Sequence, residues 1–137
     1  MIQKVDHIGV AVHSIEASLP FYRDTLGLSL VHQETVEEQG VKVAFLKAGE
    51  TTIELLEPLR PDSPVGKFLA QRGEGVHHVA FGVDDLMGDR GKVAAAGVRL
   101  LSDRPLDGAH GKQISFLHPK DSHGVLTELC QRAPKDP

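Results

Sequence analysis

The chain has 137 residues, 40% of them hydrophobic and 25% charged, which suits one domain with a proper core or two small modules sharing one. Its 15 Lys and Arg against 19 Asp and Glu leave a net charge of −4, so there is no basic surface for nucleic acid and no case for a membrane anchor. Small-molecule chemistry is the expectation. Cys130 is the only cysteine, and the N-terminal stretch lacks the apolar run of a signal peptide; both fit a cytoplasmic protein.

The first expected strand runs through Asp6-His7-Ile8-Gly9-Val10-Ala11-Val12. After the polar start signal Ser14, a helix is expected over Ile15 to Leu26, with Ile15, Leu19, Tyr22 and Leu26 on one face and Gly27 as its stop. Pro20 falls inside it and predicts a kink, because an interior proline loses a backbone hydrogen bond. Strands follow, among them Val43 to Leu46 and Thr52 to Leu56. Ser63-Pro64 then reads as the cap and first turn of a short helix through Phe68 and Leu69, broken by Gly73 and Gly75.

From His77 the pattern starts again. His77-His78-Val79-Ala80-Phe81-Gly82-Val83 repeats the first strand at an offset of 71 residues (78 − 7), and Ile114 to Leu117 repeats Val43 to Leu46 at the same offset (114 − 43). Asp84-Asp85 is the second helix start. That helix, Leu86 to about Ala96, contains Gly88 and Gly91 and rests largely on the repeat. The last strands, around Glu54 and Glu128, match at 74 (128 − 54), which places about three extra residues near Pro119 to Gly124. The chain is therefore an α+β protein of two tandem βαβββ modules, residues 1–60 and 76–132, joined by a helical linker over 61–75, one domain overall. Residues 133–137 read as a frayed end.

Strand alternation sorts the side chains. His7 shares a face with Gly9 and Ala11, and His78 with Ala80 and Gly82, so each imidazole has open space beside it. Glu54 and Glu128 stand among apolar residues of the last strands, where an unpaired carboxylate costs roughly 3 kcal/mol or more. Two imidazoles and two carboxylates recurring in register point to one divalent cation, with a donor set that suits Co²⁺, Mn²⁺, Ni²⁺ or Zn²⁺ better than Ca²⁺ or Mg²⁺. The other histidines, His13, His32, His77, His110, His118 and His123, are expected in loops or off the small face.

A βαβββ duplication with His and Glu at these positions resembles the vicinal oxygen chelate superfamily. Within it, the stretches Glu38 to Leu46 (EQGVKVAFL), Ile53 to Leu59 (IELLEPL), Asp62-Ser63-Pro64, Gly73 to Phe81, Gly111-Lys112 and Phe116 to Lys120 (FLHPK) resemble the methylmalonyl-CoA epimerases. The resemblance implies curved mixed sheets enclosing a shared metal site, cobalt as the first-choice ion, an acyl-CoA substrate and a homodimer. It also implies His7, Glu54, His78 and Glu128 as ligands. The activity it implies interconverts (R)- and (S)-methylmalonyl-CoA by proton transfer at C2 through an enolate stabilised by the metal.

Two departures bear on the chemistry. Some epimerases carry glutamine where this chain has Glu54. Some carry a catalytic glutamate where it has Val43, which cannot move a proton. Glu128 and Glu54 are accordingly the expected catalytic carboxylates, with Glu38 a weaker candidate, and Lys112, Lys120 and His118 are candidate contacts for a carboxylate or phosphates. The same His-Glu-His-Glu set marks bacterial glyoxalase I, so a lactoylglutathione lyase is the alternative. A ligand-binding protein of the same fold without catalysis is a third.

Overall fold

The alternation at the start of the chain becomes β1 (Ile2–Ala11) in a computed structural model, which describes residues 1–132; the expected frayed end, residues 133–137, lies outside them. Two compact units divide the chain. One is His7–His77. The other combines Met1–Asp6 with the chain from His78 onward, so β1 contributes to both.

In the His7–His77 unit, Ser14 caps α1 (Ile15–Leu19) by accepting a hydrogen bond from the Ala17 N–H at 3.1 Å. At Pro20, where a kink was expected, the α-helix gives way to a different helix type. Proline has no N–H to return to the preceding turn, and Pro20–Thr25 continues as a wider π-helical turn in which the Leu26 N–H reaches the Phe21 carbonyl at 2.9 Å. β2 (Ser29–Val36), β3 (Val41–Ala48) and β4 (Thr51–Pro58) follow, giving the order β2-β3-β4-β1. β1 and β4 are parallel and the other pairs antiparallel. Val12, Ile15, Leu19, Ala44, Leu46 and Leu55 form the core beneath α1, so the bulky face of β1 packs as alternation requires.

The capping expected for the linker also holds. The Ser63 hydroxyl accepts from the Gly66 N–H and donates to the Arg60 carbonyl at 2.7 Å, and Pro64 opens α2 (Pro64–Arg72). Gly73, at φ 76°, ends it.

The second unit repeats the plan with β5 (Gly75–Val83), α3 (Leu86–Ala95), a two-residue β6 (Leu106–Asp107), β7 (Lys112–Leu117) and β8 (Thr127–Arg132). Gly75 to His77 of β5 fall in the first unit. The sheet order is β1-β5-β8-β7-β6, with β5 and β8 parallel and the later pairs antiparallel. Despite two glycines, α3 forms with its N-terminal end tied down. Asp85 accepts from the Gly88 N–H at 3.0 Å, and the Gln131 side chain accepts from the Leu86 N–H and donates to the Asp84 carbonyl, both at 2.8 Å. Arg90 is buried and donates to the Ser115 hydroxyl and the Ser102 carbonyl. The extra residues implied by the longer offset form a 3₁₀ turn, Pro119–Asp121, which Asp121 fastens to Arg99 at 2.8 Å. The class is α+β on mixed sheets, as expected.

Candidate functional site

Each unit holds one buried imidazole–carboxylate pair. In the first, β1 and β4 pair in register with Gly9 beside Glu54 and His7 beside Thr52. The missing side chain at Gly9 leaves Glu54 free to lean toward His7, whose Nδ1 lies 3.1 Å from Glu54 Oε2. Both residues are 4% exposed. In the second unit Ala80 stands beside Glu128, and His78 Nε2 lies 3.4 Å from Glu128 Oε1, with exposures of 5% and 3%. The small residues thus serve the purpose that alternation assigned to them.

An aromatic ring flanks each carboxylate from the neighbouring strand. Phe45 is the cross-strand partner of Glu54, and Phe116 of Glu128. The Phe116 ring meets the His78 ring edge-on at 5.6 Å between centroids, and Ala80, Ile114 and Cys130 complete an apolar wall on that face. Apolar walls raise the electrostatic stakes: a carboxylate there is costly unless a cation or a donor meets it. The two pairs offer nitrogen and oxygen donors of the kind divalent transition metals take.

Other sequence candidates land elsewhere. Lys112 donates to Asp6 at 2.5 Å, both side chains about a tenth exposed, so it braces the start of β1. His118 Nδ1 accepts from the Lys120 N–H and shapes the 3₁₀ turn. Glu38 lies in a 3₁₀ turn, Glu37–Gln39. His77 alternates to the other face from His78, its ring meets Phe68 at 5.0 Å, and burial pushes its imidazole down to about 4. A cavity of about 350 Å³ lined by Val10, Val12, Phe21, Tyr22 and Glu74 lies on the helix side of β1, the face opposite His7.

His32 and Glu34 are the residues the sequence reading placed wrongly or passed over. Both belong to β2, where His32 pairs with Phe45 and Glu34 with Val43, so they share the face that carries Glu54. A register irregularity between Leu30 and His32 precedes them. The His-x-Glu spacing was the available signal, but parity along β2 has no meaning until its register is known.

Comparison with known proteins follows the same lines. The family model for the Glyoxalase/Bleomycin resistance protein/Dioxygenase superfamily matches residues 6–116. Protein YqjC of Bacillus subtilis (strain 168) is 47% identical over 130 residues, covering 95% of this chain and 93% of the relative. The ethylmalonyl-CoA/methylmalonyl-CoA epimerase of Cereibacter sphaeroides is 41% identical over 133 residues, covering 96% and 99%. Among solved structures, a single-residue variant of Streptomyces coelicolor methylmalonyl-CoA epimerase in complex with 2-nitronate-propionyl-CoA superposes with a TM-score of 0.94 at 49% identity, covering 98% of this chain and 100% of that one. The chain belongs to the Glyoxalase/Bleomycin resistance protein/Dioxygenase superfamily.

Proposed function

We propose that this protein is a metal-dependent methylmalonyl-CoA epimerase, an isomerase that inverts C2 of the acyl group. The observation that carries the reading is the doubled His–Glu pair, His7 with Glu54 and His78 with Glu128, buried in equivalent places of two repeated units. Relatives named for this activity cover nearly the whole chain at 41% and 49% identity. That likeness favours the epimerase over a lactoylglutathione lyase or a non-catalytic ligand-binding protein.

The four residues would hold one divalent cation, Co²⁺ as first choice by donor set and family likeness, with Mn²⁺, Ni²⁺ or Zn²⁺ as alternatives. When bound, such an ion polarises the thioester carbonyl as a Lewis acid and so makes the C2 proton more acidic. The chain's own residues do the rest. Small residues, Gly9 and Ala11 beside His7 and Ala80 and Gly82 beside His78, share each imidazole's strand face, and Phe45 and Phe116 stand across from Glu54 and Glu128 in their own units. Inversion needs two proton-transfer groups on opposite sides of a planar intermediate. Glu128 is assigned to one side. Glu54 is the ligand carboxylate available to the other, although binding a cation and accepting a proton compete for the same lone pairs. The cytoplasm as location and a homodimer as working form belong to the same reading and rest on family likeness.

Proton exchange at C2 of methylmalonyl-CoA in D₂O tests the reading, run on metal-stripped protein with and without added Co²⁺. Metal-dependent deuterium uptake with loss of optical purity is expected. No exchange with the ion demonstrably bound would sink the assignment, and the methylglyoxal–glutathione hemithioacetal would be the next substrate.

A further inference from the structure

The cavity on the helix side of β1 is built from residues that the His–Glu face does not use. Its volume is about 350 Å³, within the range of small-molecule sites, and Val10, Val12, Ser18, Phe21, Tyr22 and Glu74 line it. All six belong to the His7–His77 unit, so the site is complete within one unit. Strand alternation puts Val10 and Val12 on the face away from His7, where their branched side chains make an apolar floor. Ser18 of α1 and the aromatic pair of the π-helical turn supply the wall. The Phe21 and Tyr22 rings meet edge-on at 5.0 Å between centroids and 81° between planes, so together they form a corner. Phe21 is half exposed.

Glu74 brings a negative charge to this largely apolar setting. Its Oε2 accepts from the His13 N–H at 2.9 Å, which fixes the carboxylate. Among the described residues no basic side chain forms an ion pair with it. The arginines beside these residues in sequence are engaged elsewhere: Arg23 Nε donates to Asp24 at 2.9 Å, and the Arg72 guanidinium lies over the Phe68 ring at 5.7 Å. The Tyr22 hydroxyl makes no hydrogen bond to a described residue. Ser18 donates to the Ser14 carbonyl at 2.7 Å, which leaves its oxygen able to accept.

These groups select a ligand by elimination. An anion would meet the charge of Glu74, and a neutral apolar molecule would leave that charge uncompensated. A metal ion would find a single carboxylate where such ions take several oxygen ligands. An ammonium on a hydrocarbon body meets every group present. Its charge pairs with the carboxylate, its N–H bonds reach hydroxyl oxygens, and aromatic rings attract cations.

We propose that this cavity is a binding site for a small organic ammonium compound, a primary amine carried on a short apolar chain or ring. Glu74 pairs with the ammonium, the Tyr22 and Ser18 oxygens accept its remaining N–H bonds, and Val10, Val12 and Phe21 cover the hydrocarbon. The site lies on the opposite face of β1 from His7 and stands whether or not the epimerase reading does.

The test titrates phenethylammonium into the full chain and follows amide shifts by NMR, with phenethyl alcohol as the neutral counterpart and phenylacetate as the anionic one. Saturable shifts are expected at Ala17, Ser18, Phe21, Tyr22 and Gly75, with a Kd of about 1 mM or tighter. The ammonium should bind about tenfold more tightly than the alcohol, and phenylacetate should not saturate. Glu74→Gln keeps an acceptor for the His13 N–H and removes the charge. It should bring the ammonium down to the affinity of the alcohol while leaving the alcohol's own affinity unchanged. Tyr22→Phe should weaken the ammonium alone, by about threefold. The comparison of the three probes needs no variant, so it stands even where a substitution disturbs the fold. Equal affinity for ammonium and alcohol in the wild type overturns the assignment, as does wild-type ammonium binding by Glu74→Gln or the absence of saturable shifts at these residues.

Discussion

Lys112 shows how one contact separates two roles that a sequence cannot distinguish. As a turn lysine after Gly111 it was a candidate for holding the substrate; in the structure its ammonium meets Asp6, one residue before His7. Both side chains are about 90% buried, and Lys112 is the nearer of two ammonium partners of Asp6, Lys4 lying 4.0 Å from its other oxygen. Lys112→Met should therefore cost about 1.5–3 kcal/mol in urea unfolding, the worth of a charged hydrogen bond. If Lys112 were chiefly a substrate contact, stability would hold and KM alone would rise. The paired histidines and glutamates were legible one by one because alternation and repetition mark them. Glu34 was not, since its face depends on the β2–β3 register and a slip of one residue reverses it.

At the scale of the elements, local signals and close packing act together. Ser63 and Pro64 announced α2, and the cap formed as expected. Gly66 in its first turn carried no such message. A Cβ there would stand 2.5 Å from the carbonyl oxygens of both Arg60 and Pro61, so α2 is seated directly on the preceding backbone. Gly66→Ala should destabilise by roughly 1–3 kcal/mol despite alanine's better helix propensity, measurable as a lower urea midpoint. The 3₁₀ turn before β8 depends instead on charge. Hydrogen bonds from Arg99 hold the Asp121 carboxyl down to about 2, below its ordinary value near 3.8. A depressed carboxyl stabilises the fold above the unfolded-state value and stops doing so as pH falls through the folded one. The stability difference between wild type and Asp121→Asn should thus be constant above about pH 4 and shrink between about 4 and 2. A difference unchanged across that window would refute the coupling; Arg99 is exposed, so the effect should also weaken with salt.

For the molecule as a whole, the proposed cation is also a folding ligand. His7 and Glu54 come from one unit, His78 and Glu128 from the other, and all four are nearly inaccessible. An ion that binds only the folded chain stabilises it by about 2.7 kcal/mol at a hundred times its Kd. For a chain of this length that corresponds to roughly 10 °C in Tm. Chelation should lower Tm by about that amount and added Co²⁺ restore it. In Glu54→Gln the gain on adding metal should be smaller, whereas in Glu34→Gln it should match wild type. Equal gains in all three would remove Glu54 from the ligand set.

The sequence alone determined the duplication, the α+β class, the strand faces of His7, Glu54, His78 and Glu128, and the break in regular α-helix at Pro20. Each of these is written in local periodicity or in residue chemistry that neighbours along the chain cannot conceal. Only the tertiary structure decided that Lys112 braces Asp6, that Gly66 lies against carbonyl oxygens, and that Glu34 faces the same side as Glu54. Those facts depend on register and on contacts between residues far apart in the chain, which no short-range pattern encodes.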